Sequence, residues 1–253
     1  MLIHIIASVT IGSMVSIILI RCIYRMPDDQ QLWTPPLPCL SCNKALPWFT
    51  SVPLIGIFLS SRRCPVCQRA LSFQPLWVNL SCILGTVMVV LLRHNLSLVV
   101  IDLVFIYALI VIAFIDYNCM IIEPRVVILA IAVRLIWLAW FQSHSLLHYI
   151  SSMLIAAGAF YFIGFFYETL RRRQGLGDGD AAVIGLIGLW TGWETLSIAV
   201  LIAALSGILI GGSLLVLQKR SLATTRLPFA PFLCIGGGSV YFVQELAGIS
   251  LTL

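Results

Sequence analysis

The sequence predicts an all-α integral membrane protein, a bundle of about eight transmembrane helices with one polar loop. Of its 253 residues, 60% are hydrophobic and only 10% are charged, whereas a soluble globular domain has about 45–50% apolar and about 25% charged residues. The strict apolar–polar alternation of an outer-membrane barrel is absent, so helices are the expected spanning elements. This composition excludes a soluble globular domain, a disordered chain, a collagen and a secreted disulfide scaffold.

Eight apolar segments follow one another along the chain, and about 20 such residues cross a bilayer. The first segment lacks a basic start and a small-residue cleavage site, which indicates an uncleaved span rather than a signal peptide. The segment 181–193 is short enough to be partly re-entrant or tilted. We therefore expect a first transmembrane helix at 1–20, a cytoplasmic cysteine-rich loop at 21–75 and a seven-helix membrane core at 76–253. The segments are Leu2–Ile20, Leu76–Leu92, Leu98–Ile115, Val126–Phe141, Leu146–Phe166, Ala181–Trp193, Leu196–Leu217 and Phe232–Leu246.

The positive charges predict the orientation of the bundle, because Lys and Arg concentrate in cytoplasmic loops. If the long polar stretch is cytoplasmic and the spans alternate, 13 of the 15 basic residues fall on the cytoplasmic side. Both termini then face away from the cytoplasm. The formal net charge of +5 is mostly this topology signal, and nucleic acid is not an expected partner. The 13 residues are Arg21, Arg25, Lys44, Arg62, Arg63, Arg69, Arg125, Arg171, Arg172, Arg173, Lys219, Arg220 and Arg226.

Two cysteine pairs in the polar stretch predict a metal centre. Cys39 and Cys42 form one CxxC pair, and Cys64 and Cys67 form the second. This spacing is close to that of a four-cysteine zinc site, and four protein ligands leave no coordination position open for catalysis. Cytoplasmic thiols stay reduced, which argues against two disulfides. The alternative is a pair of redox-active or uncommitted CxxC turns.

Two aspartates are the candidate catalytic residues. Asp116 follows an unbroken apolar run, and Asp180 immediately precedes a short apolar segment, so both are expected at one membrane face. Two close carboxylates share a proton, and such a pair can activate a water and protonate a leaving amine. Gly175, Gly177 and Gly179 permit positive φ and a close approach of a substrate strand. The alternative interpretation makes Asp180 an N-cap and Asp116 a helix-boundary residue.

Two further residues have structural interpretations. Arg134 lies in the middle of a span and is expected to face the bundle interior, beside a polar partner. Trp190 lies near a predicted interface, where indole side chains anchor helices.

Five segments, in order, resemble those of one known family, the type IV prepilin peptidases, which are membrane aspartyl peptidases that process pilins and type II secretion pseudopilins. The segments are Gly12-Ser13 with Tyr24-Arg25-Met26-Pro27; the cysteine-bearing loop from Pro38 to Ser72; Phe114-Ile115-Asp116; Gly175-Leu176-Gly177-Asp178-Gly179-Asp180 with Gly188 to Trp193; and Leu227-Pro228-Phe229-Ala230-Pro231.

The resemblance implies a function and a compartment. It implies that Asp116 and Asp180 are catalytic, whereas Asp178 matches a variable position of the family. The enzyme would lie in the bacterial inner membrane with periplasmic termini, and would remove the short basic leader of prepilins or pseudopilins at the cytoplasmic face. The resemblance alone also implies the family's second activity, methylation of the new N-terminus with S-adenosylmethionine, and places it in the cysteine-rich loop.

Two other hypotheses stay open from the sequence. Ala182 stands where the family usually has lysine, and Ile122-Glu123-Pro124 stands where it commonly reads Leu-Pro-Asp. These departures motivate a catalytically degenerate family member. The glycine-rich segment before Ala181 also fits a non-enzymatic transporter or membrane scaffold with a zinc-bearing loop.

Overall fold

The computed structural model describes residues 2–32, 39, 42, 44, 63–70, 72–171, 177–213 and 228–247. Within these ranges the chain forms eight α-helices and no named strand, which confirms the predicted fold class. The helix Trp193–Ser206 continues into a wider π-helical turn at Gly207–Gly212. The helices are α1 (Leu2–Arg25), α2 (Gln74–Leu92), α3 (Leu96–Cys119), α4 (Pro124–Phe141), α5 (Leu146–Arg171), α6 (Asp178–Thr191), α7 (Trp193–Ser206) and α8 (Ala230–Leu246).

Six of the helical stretches in the described residues are long and apolar enough to cross a membrane. Helix α6 is different, because its 14 residues span about 21 Å, less than the ~30 Å hydrocarbon layer. Trp193, expected at the end of this segment, instead begins α7. A single residue, Gly192, separates the two helices, and its φ of +77° is a conformation that favours glycine.

The chain divides into two compact units, Met1–Val99 and Val100–Leu253. In the first unit α1 packs against α2 through small and polar side chains. A Cβ on Gly12 would lie 2.9 Å from the Cα of Ile83, so glycine permits this close approach. The buried Asn79 amide donates to the Ser16 hydroxyl at 2.7 Å. Such small residues and interhelical hydrogen bonds are what holds helices together in lipid.

The second unit is built around α6. Its residues from Val183 to Thr191 are all buried, as expected of a helix that is apolar on every side. Glycines allow α5 to approach closely, because a Cβ on Gly188 would lie 3.0 Å from the carbonyl oxygen of Ser152 and 3.2 Å from the Cβ of Ala156. Protein, rather than lipid, therefore surrounds this short helix.

Helix α8 packs against α7 through another glycine. A Cβ on Gly236 would overlap the carbonyl oxygen of Ala199 and lie 3.1 Å from the backbone nitrogen of Ala203. Two residues along the same helix, a Cβ on Gly238 would meet only the Leu109 methyl group, at an ordinary 3.8 Å. The chain thus offers a matched pair of glycines on one helix.

We expect Gly236→Ala to lower the free energy of unfolding by about 1–3 kcal/mol, because the added methyl group overpacks a backbone contact. Gly238→Ala is the control, and should be neutral or stabilising by up to about 1 kcal/mol because alanine favours helix more than glycine does. Thermal unfolding of the purified proteins in detergent measures both. Equal melting temperatures for the two variants would contradict the tight α7–α8 contact.

Candidate active site and metal centre

Asp116 lies in the last turn of α3, where it is buried with 6% of its surface exposed. Its Oδ2 accepts a hydrogen bond of 3.1 Å from the backbone N–H of Ala230, the first residue of α8. The first N–H groups of a helix have no partner within the helix, and its N-terminus favours a negative charge. The start of α8 therefore orients the Asp116 carboxylate.

Asp180 is the third residue of α6 and is 8% exposed. Its Oδ2 accepts a hydrogen bond of 3.2 Å from the backbone N–H of Gly177. The N-cap of α6 is Gly177 rather than Asp180, so the N-cap interpretation of Asp180 is wrong in detail. The side chain nevertheless turns back onto the N-terminus of its own helix, which fixes its rotamer.

The two carboxylates lie close enough for their charges to interact. Each uses Oδ2 for its backbone hydrogen bond, and among the described residues nothing donates to either Oδ1. Each aspartate thus keeps one oxygen for a water molecule. Two such oxygens on neighbouring carboxylates are what acid–base hydrolysis requires.

The loop between α3 and α4 contacts the first turn of α6. A Cβ on Gly179 would lie 2.8 Å from the Cβ and Cδ1 atoms of Ile122, so this position requires glycine. The neighbouring Glu123 caps α4 and forms an ion pair with Arg125. The unusual Ile122-Glu123-Pro124 sequence therefore builds a fixed loop beside Asp180.

The positive φ predicted for the glycine-rich loop is wrong for the two glycines that the structure describes. Gly177 has φ of −76°, and Gly179 lies in a helical turn. Neither has the positive φ that was expected; Gly179 is needed for space, because a side chain there would collide with Ile122. Gly175 lies outside the described residues.

Two contributors to the site are not among the predicted site residues. The Ala230 donor is a backbone group, which its side chain does not reveal. Cys234, on the next turn of α8, is buried and lies within electrostatic range of both Asp116 and Asp180. A single cysteine in an apolar run is usually a small hydrophobic residue, so its sequence context gave no reason to select it.

The structure brings the four predicted metal ligands together. The Sγ atoms of Cys39, Cys42, Cys64 and Cys67 all lie within 4.8 Å of one another, and all four are free thiols. The Sγ atoms of Cys39 and Cys67 are 3.8 Å apart, and those of Cys42 and Cys64 are 3.7 Å apart. Tetrahedral zinc with bonds of ~2.3 Å separates its sulfur ligands by about 3.8 Å, so the donor set fits zinc.

Local backbone turns prepare this cluster. The Cys64 N–H donates to the Arg69 carbonyl at 2.9 Å, and the Gln68 N–H donates back to the Cys64 carbonyl at 2.9 Å. Backbone N–H groups of Cys67 and Val66 point at the Cys64 sulfur and lower the pKa of its thiol to about 6. The turn thus favours the thiolate, which is the form that binds a metal.

Two family models match the chain. Residues 103–212 match the type IV leader peptidase family, and residues 7–93 match the bacterial peptidase A24 N-terminal domain. The chain belongs to the type IV prepilin peptidase family. The first match contains both candidate aspartates, and the second contains all four cysteines. No solved structure matches the chain significantly.

Curated relatives agree with this family. Three of them are named prepilin leader peptidase/N-methyltransferase and come from Aeromonas hydrophila, Aeromonas salmonicida and Legionella pneumophila. The Aeromonas hydrophila protein is 26% identical over 248 residues, which is 90% of this chain and 80% of the relative. The Aeromonas salmonicida protein (strain A449) is 26% identical over 236 residues, 89% of this chain and 77% of the relative. The Legionella pneumophila protein is 27% identical over 214 residues, which is 81% of this chain and 71% of the relative.

The family and the apolar helices together make this chain a multi-pass inner membrane protein. The family consists of aspartic peptidases, and the structure brings together two buried aspartates, one on α3 and one on α6. The resemblance that the sequence motifs indicated is thereby confirmed.

We expect the purified protein to contain one zinc ion per chain, because the four sulfur atoms lie within 4.8 Å of one another. Replacing Cys64 with Ser should abolish zinc binding and lower the yield of folded protein. Cys119→Ser is the control, because Cys119 is exposed and lies outside the cluster. Metal analysis of the purified proteins measures the content. Wild-type protein without zinc, with all four thiols open to alkylation, would contradict a zinc centre.

Proposed function

We propose that this chain is a membrane aspartyl endopeptidase that removes the short basic leader of type IV prepilins or type II secretion pseudopilins. The observation that carries the proposal is the buried pair of Asp116 and Asp180. Each is held through Oδ2 by a backbone N–H at a helix N-terminus, and each leaves Oδ1 without a donor in the described part of the chain. The family match and the names of the relatives support the same activity.

The pair performs hydrolysis by sharing one proton. The charged carboxylate takes a proton from a water molecule, and the resulting hydroxide adds to the scissile carbonyl carbon. The protonated carboxyl gives its proton to the leaving amine as the carbon–nitrogen bond breaks. The two groups end with their protonation states exchanged, and no covalent acyl-enzyme forms. The fixed rotamers of both aspartates keep the water between them.

The charge distribution supports a cytoplasmic active site with periplasmic termini. Arg125 and Arg171 lie in the described residues on the side where Asp116 ends its helix, and most other basic residues fall in loops on the same predicted side. A prepilin places a basic leader before an apolar helix. Its leader would meet this face while the helix lies in the same bilayer.

The zinc site supports a structural role. Cys39, Cys42, Cys64 and Cys67 would fill all four positions of a tetrahedral ion, which leaves none for a water or a substrate. Bound zinc would hold two cysteine turns together in a polar segment. No step of peptide hydrolysis involves it.

Methylation of the new N-terminal amine is a second candidate function, favoured by the names of the relatives. S-adenosylmethionine would supply the methyl group, and the cysteine-rich N-terminal region is where we place this activity. Mass spectrometry of the processed pilin tests it, because a methylated product is heavier by one methyl group than the cleaved product alone.

We expect Asp116→Asn and Asp180→Asn each to abolish leader cleavage while the protein still inserts in the membrane, because one carboxylate cannot act as both base and acid. Co-expression with an intact prepilin in a host that lacks other prepilin peptidases measures cleavage. Asp178→Asn is the matched control and should keep most activity. An inactive Asp178 variant with an active Asp180 variant would show that the register of the motif is wrong.

The outcome also separates this proposal from its alternatives. A wild-type chain that inserts but leaves the prepilin intact would favour the catalytically degenerate member or the membrane scaffold.

We expect Gly179→Ala to reduce cleavage by about tenfold or more, because its methyl group collides with Ile122 and displaces Asp180. Gly177→Ala is the control, since a Cβ there would lie 3.5 Å from Asp180 Oδ2, an ordinary contact. The double variant Gly179→Ala/Ile122→Gly should recover activity, because it removes the colliding Cβ and Cδ1 atoms of Ile122. Failure of this rescue would mean that glycine serves another purpose at position 179.

A further inference from the structure

A stacked pair of aromatic rings joins the two helices that carry the aspartates. Phe105 of α3 and Trp190 of α6 stack with ring centroids 4.8 Å apart and an interplanar angle of 11°. Both side chains are buried, with exposures of 0% and 5%. The sequence interpretation of Trp190 as an interfacial anchor is therefore wrong, because its indole packs inside the second unit.

The stack lies at a fixed distance from the aspartates. Phe105 precedes Asp116 by 11 residues, and Trp190 follows Asp180 by 10, which are about 16 and 15 Å along the two helix axes. Because the order is reversed, α3 and α6 run antiparallel and meet at two levels, one with the carboxylates and one with the rings. Sliding α6 by one turn, about 5.4 Å, would separate both pairs.

Helix α8 repeats the same spacing against α3. Its first residue, Ala230, donates to Asp116, and 11 residues later Tyr241 meets Phe105 edge-on, with centroids 5.7 Å apart and an angle of 66°. Phe105 thus contacts both helices that border the carboxylate pair. The aromatic level fixes α6 and α8 against α3 at once.

Arg134 holds the other side of this level. It lies in α4 and is 6% exposed, so it faces the interior as the sequence predicts. Its guanidinium carbon lies 5.2 Å from the ring centroid of Trp190, 5.0 Å from that of Trp137 and 5.2 Å from that of Tyr149. Cation–π contacts are strongest when the cation is desolvated. Aromatic rings therefore surround the guanidinium, and Arg134 connects α4, α5 and α6.

We propose that Arg134 and Trp190 are positioning residues, which set the axial register of α6 and thereby hold Asp180 opposite Asp116. We name the group of Phe105, Arg134, Trp137, Tyr149 and Trp190 the aromatic clamp. The inference rests on the proposed peptidase activity. The clamp residue Trp190 lies about 15 Å along the axis of α6 from Asp180, so it acts on the aspartate through this helix.

Arg134→Met, which removes the charge, and Trp190→Leu, which removes the ring, test the proposal. We expect kcat to fall by tenfold to a hundredfold, since a displacement of about 1 Å at a reacting group has this effect. KM should stay within about twofold, because ground-state binding is unaffected. Arg134→Lys keeps a cation over the rings and should recover most of kcat. Trp140→Leu is the control, because this residue lies on the same helix and is 83% exposed.

A second readout measures the register without catalysis. In the Cys234→Ala background, Asp116→Cys/Asp180→Cys should react with a short bis-methanethiosulfonate, which forms a disulfide with each cysteine and releases two methanesulfinate ions, to give a cross-link that mass spectrometry identifies. Adding Arg134→Met or Trp190→Leu should reduce the cross-linked fraction severalfold, and adding Trp140→Leu should not. This readout stays valid if the chain cleaves no prepilin, so failure of the clamp and failure of the proposed function are distinguishable.

Two outcomes would overturn the proposal. In the first, Arg134→Met and Trp190→Leu lower the melting temperature but leave kcat and the cross-linked fraction unchanged. The clamp would then contribute to stability only. The other is Arg134→Lys behaving like Arg134→Met in both readouts, because a retained cation would then not hold the register. If Arg134→Met does not yield folded protein, Arg134→Lys and Trp190→Phe answer the same questions with smaller changes.

Discussion

Burying two carboxylates beside each other is the constraint on which the second unit depends. A carboxylate out of water needs hydrogen-bond donors, and two of them together repel each other. The chain meets this demand with helix N-termini, because the start of α8 donates to Asp116 and the start of α6 donates to Asp180. Both helices must therefore begin at the level where α3 ends. Helix α6 begins at this level and is covered by protein along its length. It is accordingly short and apolar on every side.

The sequence predicts those parts of the molecule that a local pattern determines. Apolar runs predict the helices, with every end except that of α7 within five residues, and paired CxxC spacing predicts the four sulfur atoms that the structure clusters. The aspartates were recognisable because an acid at the end of an apolar run is costly. Contacts between distant segments leave no such pattern. Gly179 is needed because Ile122, 57 positions earlier, leaves no room for a side chain there. The residues around Gly179 do not reveal this contact, so the sequence predicts backbone freedom as the reason for the glycine.

Buried aromatic residues show the same limit. Trp190 has the sequence context of an interfacial anchor, and only the arrival of Phe105 and Arg134 from other helices makes it part of the core. Arg134 was expected beside a polar partner, since a charge at membrane depth is commonly paired. Here the faces of the Trp137 and Tyr149 rings contact the Arg134 guanidinium. A ring face has no donor or acceptor that a sequence pattern would reveal, which is why this partner was not predicted.

The backbone donors at the active site have a consequence for how the sequence can vary. Any amino acid except proline provides an N–H group, so the hydrogen bond that Asp116 accepts survives any substitution of Ala230 that this buried position can accommodate. The same holds for the group that Gly177 presents to Asp180. Sequence drift at these two positions therefore leaves the electrostatics of the site largely unchanged. The aspartates themselves have no such tolerance. Substitutions of Asp116 and Asp180 should therefore impair activity far more than substitutions of Ala230 and Gly177, whose backbone N–H groups donate to them.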